Sequence, residues 1–584
     1  MFLERSLLGL AAVAFAAATT PASSKSLHEF KHFVIIYQEN HSFDNLFGLW
    51  GSVGGEPVEG LRSADPAHMT QARADGATAF ECLLQNDVNL ASLATRCTDA
   101  TGATSFVSAF PNAPFEIDAY IAATDKTCPA PGVFAPHGAP KNAAGALAGG
   151  CTRDLVHRFY SEQFQINGGK QNRYVTGSDA AGLSMGYYDT TKLPIYKALH
   201  AADAPHYIVA DHFFQSAFGG SFLNHQWLVA AATPVFANAL NDASAHDLHS
   251  VVDANGMATS TPLYTNPLGS SAKDASLTAS CDPPAGRPAT PANVACGDYV
   301  INTIQPFSPP YAPGTAEAKR LPPLEHPTIG DRLSAAGIGW AWYSGGWSNA
   351  NGDVGAPGWT NGNGPDCGDP NAISGAAYPI CPDKLFQFHH QPFNYFKAYA
   401  RGTAARAAHL RDAAEFVQAA KAGQLEPVSF VKLIGAENEH PGYASEADGS
   451  ARLVDLIAAI VNGPNARDTL IIITYDEFGG SWDHAPPPPY QKEQVAERDH
   501  SPLGEGHRGG GAHDLWGPGT RIPALLISAR FERSGVDHTN YDTTSVLKLI
   551  EERYGLAPLG TRDASVHSLA RALEAGERPE AGER

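Results

Sequence analysis

The chain has 584 residues, of which 43% are hydrophobic and 17% are charged, and its formal net charge at pH 7 is −20. This is the composition of a globular protein, and the acidic balance argues against a nucleic-acid binder, whose surface would be basic. The length exceeds that of one small core, but large α/β enzymes reach it around a single sheet with long insertions. An anionic substrate would be repelled at long range and would need a local cation.

The first predicted element is a secretory signal peptide at residues 1–22. A short apolar stretch from Leu7 to Ala18 follows Arg5 and precedes a segment of small residues, which is the layout of such a peptide. The stretch is too short to span a bilayer comfortably, and no other apolar run of about 20 residues follows it. We therefore expect a secreted or periplasmic protein without a stable membrane anchor.

Apolar runs rich in β-branched residues predict the strands of one central sheet. Their continuous apolar character is typical of a parallel sheet that helices cover on both faces. Apolar residues at spacings of three and four predict amphipathic helices between them. The strand runs are 32–37, 206–210, 428–434, 470–474 and 522–528, and the helices are 407–423, 451–463 and 543–555. We expect an α/β fold with a mostly parallel central sheet flanked by helices.

One catalytic domain is predicted at 28–572, with loop insertions at about 53–150 and 253–325 and a flexible tail at 573–584. Both insertions are rich in Gly, Pro, Ala and Ser and hold most of the cysteines, so disulfide bonds would pin them in an oxidising compartment. Eight cysteines allow 105 connectivities. The simplest joins sequence neighbours: Cys82 with Cys97, Cys128 with Cys151, Cys281 with Cys296, and Cys367 with Cys381.

Polar residues follow the predicted strands, where ligands bind in open α/β sheets. Glu39 and Asn40 follow the first strand, and Asp476 and Glu477 follow the run that begins at Leu470. Neighbouring carboxylates repel each other unless a cation lies between them, and carboxylate and amide oxygens suit Ca²⁺ or Mg²⁺. Because histidines are expected nearby, zinc is also a candidate ion. The alternatives are helix capping by Glu39 and Asn40 and a solvated turn at 476–480.

Ser221 follows two glycines in FGGSFLNH. A serine placed on such a turn, at the start of a helix, could attack phosphorus with backbone N–H groups nearby to hold the oxyanion. The alternative is an ordinary N-cap, for which serine is well suited.

Histidines supply candidates for binding phosphate and for protonating the leaving oxygen. His389 and His390 are adjacent in FHHQPFNYF, and His440 follows another strand in ENEHPG. With an ordinary pKa of about 6.5 they would be protonated in mild acid, so activity is expected to fall as pH rises. A purely structural role fits three further histidines equally well: His157, His484 and His538.

Several segments, in order along the chain, resemble the bacterial phosphoesterase family that contains acid phosphatase A and the non-specific phospholipases C. They extend from about Phe30 to Leu569, and include QENHSFDNLFG, NGGKQNRYV, DHFFQSAFGGSFLNHQ, HHQPFNYF, ENEHPG and TYDEFGGSWDHAPPP. The resemblance implies an alkaline-phosphatase-like α/β fold. It also implies one divalent metal ion at Glu39, Asn40, Asp476, Glu477 and Ser221, a phosphoenzyme on Ser221, and four histidines around the phosphoryl group: His157, His389, His390 and His440.

From this resemblance we expect an acid phosphatase that hydrolyses phosphomonoesters. A phospholipase C or another phosphodiesterase using the same site is the alternative; relatives of that kind often continue into C-terminal β-domains, which favours the phosphatase branch. The third alternative is a non-catalytic phosphate-binding protein that the ion stabilises. The identity of the ion (Ca, Mg or Zn), the physiological substrate and the oligomeric state stay open.

Overall fold

The computed structural model describes residues 27–73, 77–83, 95–98, 105–108, 110–119, 155, 157, 159–178, 182–234, 309–311, 322–363, 367–369, 373, 378–383, 385–441, 444–488 and 516–578. The predicted signal peptide, most of both predicted insertions, and the predicted Cys128–Cys151 and Cys281–Cys296 pairs lie outside these residues.

An eight-stranded sheet forms the centre of the protein. Its strands are β1 (His32–Gln38), β2 (Tyr207–Ala210), β3 (Trp340–Ser344), β4 (Leu410–Asp412), β5 (Val428–Lys432), β6 (Thr469–Tyr475), β7 (Ala524–Ile527) and β8 (Gly535–Asp537). The order across the sheet is β4-β3-β5-β1-β6-β7-β2-β8. Strand β7 is antiparallel to both neighbours, and the other adjacent pairs are parallel. The predicted mostly parallel α/β sheet is confirmed.

The pairing of β1 explains why polar residues distant in sequence meet at one edge. Ile36 lies beside Val431 of β5 and Ile473 of β6, and Gln38 lies beside Tyr475. The residues that follow these parallel strands therefore emerge at the same edge. Because β7 runs the other way, the segment that precedes it reaches this edge too.

Helices cover the sheet on both sides, as its buried strands require. They are α1 (Phe43–Leu46), α2 (Pro66–Met69), α3 (Phe159–Ile166), α4 (Pro194–Leu199), α5 (Ser221–Ala230), α6 (Ile329–Ala335), α7 (Trp347–Asn351), α8 (Ala404–His409), α9 (Ala413–Ala422), α10 (Glu446–Val461), α11 (Thr544–Tyr554) and α12 (Thr561–Ser565). Two-stranded pairs join Ser52–Val53 to Glu56–Pro57, Thr95–Thr98 to Ser105–Ser108, Phe115–Glu116 to Gly186–Tyr187, and Phe213–Phe214 to Tyr541–Asp542.

The single helix predicted at 407–423 is wrong, because the short strand β4 separates α8 from α9. Asp412 caps α9 by accepting from the Ala414 N–H at 2.9 Å, and Glu415 completes a capping box. This cap starts a new helix where the periodicity alone suggested continuity. Near the C-terminus, the 3₁₀ helix Leu569–Gly576 extends into the predicted tail, because Leu573 is buried in the core.

The predicted disulfide between Cys367 and Cys381 is confirmed. Cys367 and Cys381 are bonded, with their Cα atoms 5.5 Å apart, and they pack with Ile373 in a small apolar cluster. Cys82 is also disulfide-bonded. None of the described helices has the length and apolar character needed to cross a membrane.

Candidate active site

The ends of β1 and β6 bring two of the predicted metal-binding segments together. The backbone N–H of Asp476 donates to the Gln38 carbonyl at 3.0 Å, and that of Asn40 approaches the Asp476 carboxylate at 3.3 Å. Asn40 has a left-handed backbone, with φ of 58°. Gly479 allows this approach, because a Cβ there would lie 2.2 Å from the Asn40 carbonyl oxygen.

Ser221 is the first residue of α5 and is buried. Gly219, with φ of 88°, turns the chain into the helix, and Gly220 is the N-cap residue. The hydroxyl of Ser221 donates to Oε1 of Glu477 at 3.3 Å. The free N–H groups of the first helical turn lie beside it, which is an environment that stabilises anions.

Two histidines adjoin these groups from other loops. His157 donates from Nδ1 to the Leu155 carbonyl at 2.6 Å, and its Nε2 lies 3.4 Å from the same Glu477 oxygen that Ser221 contacts. His440 uses Nε2 to accept from the Asn40 amide at 2.9 Å. Both rings are thereby oriented towards the ends of β1 and β6.

The adjacent pair His389 and His390 lies beside Glu39 and His225. His390 Nε2 is 2.6 Å from Glu39 Oε1, and both rings contact the ring of His225, each with centroids 5.5 Å apart. The sequence analysis did not select His225. It lies four residues after Ser221, one helical turn along the same face of α5, and this spacing was the available signal.

A buried lysine completes the cluster and was also missed. Lys432 ends β5 with its Nζ 2.5 Å from Glu39 Oε1 and 3.2 Å from the Gln38 carbonyl. It is the one charged residue in the apolar run VSFVKLI, and that was its signal. All the predicted site residues therefore meet in one buried cluster at the carboxyl edge of the sheet.

The carboxylates of this cluster differ in their electrostatic environment. Burial alone would raise the pKa of Glu39, but the Lys432 ammonium holds that pKa well below its usual value. Burial and the charge of Glu39 raise the pKa of Asp476 to about 8. Burial and Asp476 raise the pKa of Glu477 well above its usual range. Neither Asp476 nor Glu477 contacts a lysine or arginine side chain among the described residues.

His389 and His390 differ from the prediction that they are protonated in mild acid. Burial lowers the pKa of His390 to about 4 and holds those of His389 and His225 well below 6.5. These rings are therefore neutral in mild acid when no anion is bound. A bound phosphate dianion would raise their pKa values, because a nearby negative charge favours imidazolium.

The chemistry of the cluster fits a divalent cation. Asn40 Oδ1 and Asp476 Oδ2 are buried and have no hydrogen-bond partner among the described residues. Leaving such atoms unmatched costs free energy, and a cation shared by them would remove the cost. The oxygen atoms of Glu39, Asn40, Asp476, Glu477 and Ser221 are the donors that a hard ion prefers.

Glu162 of α3 holds the loop that precedes Ser221 and was not predicted. One carboxylate oxygen accepts from the Gly219 N–H at 2.6 Å and the Gln215 amide at 2.9 Å. The other accepts from the N–H and hydroxyl of Thr520, at 2.7 and 2.8 Å. All four partners are donors, so an amide cannot replace the carboxylate without turning its own donor towards one of them.

We predict that Glu162→Gln lowers both stability and kcat, since it misplaces the turn that carries Ser221. The expected loss of unfolding free energy is about 1–3 kcal/mol, the usual cost of leaving a buried donor unmatched. Urea unfolding and steady-state kinetics measure the two effects. Glu116→Gln is the control, because Glu116 is half-exposed and contacts Lys192. Equal behaviour of the two variants would contradict this role.

A second buried cluster, the Arg521 cluster, contains Asp44, Asp483, His484 and Arg521. Arg521 Nε is 3.0 Å from Asp483 and its Nη2 is 3.1 Å from Asp44. His484 Nδ1 lies 2.6 Å from Asp44. The two aspartates and the histidine are close enough to hold a metal ion, but the Arg521 guanidinium already contacts both carboxylates. His484 thus ties the loops after β1 and β6 together, and His538 pairs instead with Asp211.

We predict that His484 makes folding stability depend on pH. Burial alone would lower its pKa, but Asp44 raises it from 6.5 to about 9. A raised folded-state pKa stabilises the fold fully below pH 6.5, and this contribution is lost as pH rises through about 9. In urea unfolding from pH 6.5 to 9.5, the stability gap between wild type and His484→Asn should narrow. The exposed His206→Asn is the control, and a constant gap would contradict the prediction.

The sequence of this chain is similar to those of several known proteins. The model of the Phosphoesterase family matches residues 30–557. Phospholipase C B of Mycobacterium tuberculosis (strain CDC 1551 / Oshkosh) is 32% identical over 149 residues, 24% of this chain and 27% of that protein. Non-hemolytic phospholipase C of Burkholderia pseudomallei (strain K96243) is 32% identical over 142 residues, 24% of this chain and 20% of that protein.

The matched part of the chain spans about a quarter of the length of these curated relatives. Among solved structures, a phosphonate monoester hydrolase from Silicibacter pomeroyi aligns over 45% of this chain and 64% of its own, with 13% identity and a TM-score of 0.22. That similarity is too low to bear on fold or function.

Proposed function

The chain belongs to the Phosphoesterase family, and from this premise we propose that it is a metal-dependent phosphoesterase that uses Ser221 as its nucleophile. The observation that supports the proposal best is the position of Ser221. Its hydroxyl lies at a helix N-terminus and contacts Glu477 at 3.3 Å, inside a cluster of carboxylates and histidines contributed by distant segments. A structural serine needs none of these neighbours.

The oxygen-rich end of the cluster is proposed to hold one divalent ion. Glu39, Asn40, Asp476, Glu477 and Ser221 would bind it. When bound, such an ion lowers the pKa of a coordinated hydroxyl and offsets the charge of the phosphoryl group. Calcium and magnesium suit the oxygen donors, and the neighbouring imidazoles keep zinc among the candidates.

In the proposed reaction the Ser221 oxygen attacks phosphorus while the bond from phosphorus to the alcohol oxygen breaks, and the hydroxyl proton passes to the Glu477 carboxylate, to which it already donates. The first-turn N–H groups of α5 hold the phosphoryl oxygens. His157 and His440 orient the phosphate or protonate the leaving oxygen, while His389 and His390 face it from the other side. Water then releases phosphate from the serine ester.

For the substrate, we propose phosphomonoesters, as in an acid phosphatase. Among the described residues, Val354 is the one large hydrophobic side chain that is well exposed, which favours a water-soluble monoester over a lipid. Phospholipase C is the second candidate, because the similar curated proteins carry that name. A phospholipid headgroup diester would require room for a second ester group beside Ser221.

We predict faster hydrolysis of p-nitrophenyl phosphate than of p-nitrophenylphosphorylcholine between pH 4 and 9. The kcat/KM ratio of the two substrates decides between the two candidates. A preference for the choline diester would support phospholipase C. Tight phosphate binding without turnover of either substrate, in protein supplied with metal, would instead favour a non-catalytic phosphate-binding protein.

We also propose that one catalytic domain at 28–572 is exported to the periplasm or beyond. The Cys367–Cys381 bond supports this, because disulfides persist in oxidising compartments.

A further inference from the structure

Lys432 is the least expected residue of the site, because its ammonium group is fully buried. Moving an ammonium out of water costs on the order of several kcal/mol unless an anion compensates it. Glu39 supplies that anion at 2.5 Å. The Gln38 carbonyl accepts from the ammonium at 3.2 Å, and the ring of Tyr37 lies 5.0 Å from it. Strand β5 thus places a fixed positive charge at the carboxyl edge of the sheet.

The Lys432 ammonium lies beside a set of side chains that could bind a metal ion. Ligand atoms of Glu39, His225 and His390 all lie within 4.8 Å of one another. His225 donates from Nδ1 to the Ser221 carbonyl at 2.8 Å, so its Nε2 carries a free electron pair. That nitrogen is buried and has no hydrogen-bond partner among the residues that the structure describes. A carboxylate with two imidazoles is a ligand set typical of zinc.

Charge balance indicates how many ions the site takes. Lys432 neutralises Glu39 by direct contact, whereas Asp476 and Glu477 have no lysine or arginine contact among the described residues. Their two negative charges equal the positive charge of one divalent ion. A second divalent ion beside Glu39 would lie close to the ammonium, and like charges at such a distance repel strongly inside a protein.

We propose that Lys432 is a built-in cation that takes the place of a second metal ion at Glu39, His225 and His390, so that the site holds one divalent ion. The inference rests on the metal-dependent function proposed above and deepens it. Lys432 acts here as a positioning residue, since it holds Glu39 at the oxygen-rich end of the cluster. Its loss turns the histidine side of Glu39 into a second ion site.

The test measures zinc content, not turnover. Wild-type protein and variants are stripped with a chelator, dialysed against ZnCl₂, and analysed for zinc per chain by mass spectrometry. Lys432→Gln should bind one more zinc than the wild type, and Lys432→Arg should bind the same number. Adding His225→Ala to Lys432→Gln should remove the extra ion. Lys397→Gln, at an exposed lysine, is the matched control and should leave zinc content unchanged.

The proposal is overturned if folded Lys432→Gln, checked by circular dichroism, binds no more zinc than the wild type. Should Lys432→Gln fail to fold, His225→Ala alone decides: unchanged zinc content supports the proposal, and loss of an ion overturns it, because the histidines would then already hold metal. Wild-type protein that binds no metal at all would instead refute the proposed metal dependence, so the two failures are distinguishable.

Discussion

Ser221→Ala should lose on the order of 10⁴-fold or more in kcat, the scale at which enzymes respond to loss of a nucleophile. The reason is chemical: alanine offers no oxygen to attack phosphorus, and Ser221 is the first-turn hydroxyl of α5 that contacts Glu477. The fold should survive, because the change removes one atom and keeps the helix start. Steady-state hydrolysis of p-nitrophenyl phosphate and thermal unfolding measure the two outcomes.

Ser429→Ala is the matched control for this variant. Ser429 is a buried serine of β5 whose hydroxyl has no hydrogen-bond partner among the described residues, so it undergoes the same chemical change outside the reacting groups. Its activity should stay near that of the wild type. Near wild-type turnover in Ser221→Ala would remove Ser221 from the mechanism.

Removal of the ion should abolish turnover almost completely. Without it, Asp476 and Glu477 repel each other with no lysine or arginine in contact among the described residues, and the phosphoryl group meets an acidic cluster. We expect activity to disappear after chelation and to return when Ca²⁺, Mg²⁺ or Zn²⁺ is added singly. Protein shown to be metal-free but fully active would contradict this expectation.

Asp476→Asn tests by thermal unfolding whether a metal ion compensates the buried charge of Asp476. Burial raises the pKa of Asp476 from 3.8 to about 8, so the metal-free fold loses stability as pH rises between these values, and the full loss is present at pH 9. The variant should therefore unfold at a higher temperature than metal-free wild type at pH 9, and should gain less from added metal. Asp468→Asn is the control, because Asp468 is partly exposed and pairs with Lys31.

The sheet was predictable where apolar runs are long and bounded by polar residues. Strands β2, β5 and β7 fall within their predicted runs, and β1 and β6 extend past the ends of theirs. Strand β3 was missed because its WAWYS sequence is aromatic and short, and the three-residue strands β4 and β8 leave no periodic signal. Edge strands of this length form through pairing with neighbours, which depends on tertiary contacts that local sequence does not encode.

The site was predictable where polar residues directly follow strands, because fold polarity brings strand ends together. Glu39, Asn40 and Asp476 illustrate this rule. Lys432 and Glu162 were missed because their roles depend on contacts with residues that are distant in sequence. A carboxylate that accepts from Gly219 and Thr520 cannot be inferred from either segment alone.

The most direct test of the central claim is to trap the covalent intermediate. Protein reacting with p-nitrophenyl phosphate is quenched in acid, digested and analysed by mass spectrometry. The account predicts a phosphate on Ser221 in wild-type protein and none in Ser221→Ala. Phosphate on another side chain, or a burst of p-nitrophenol without phosphate on Ser221, would contradict it.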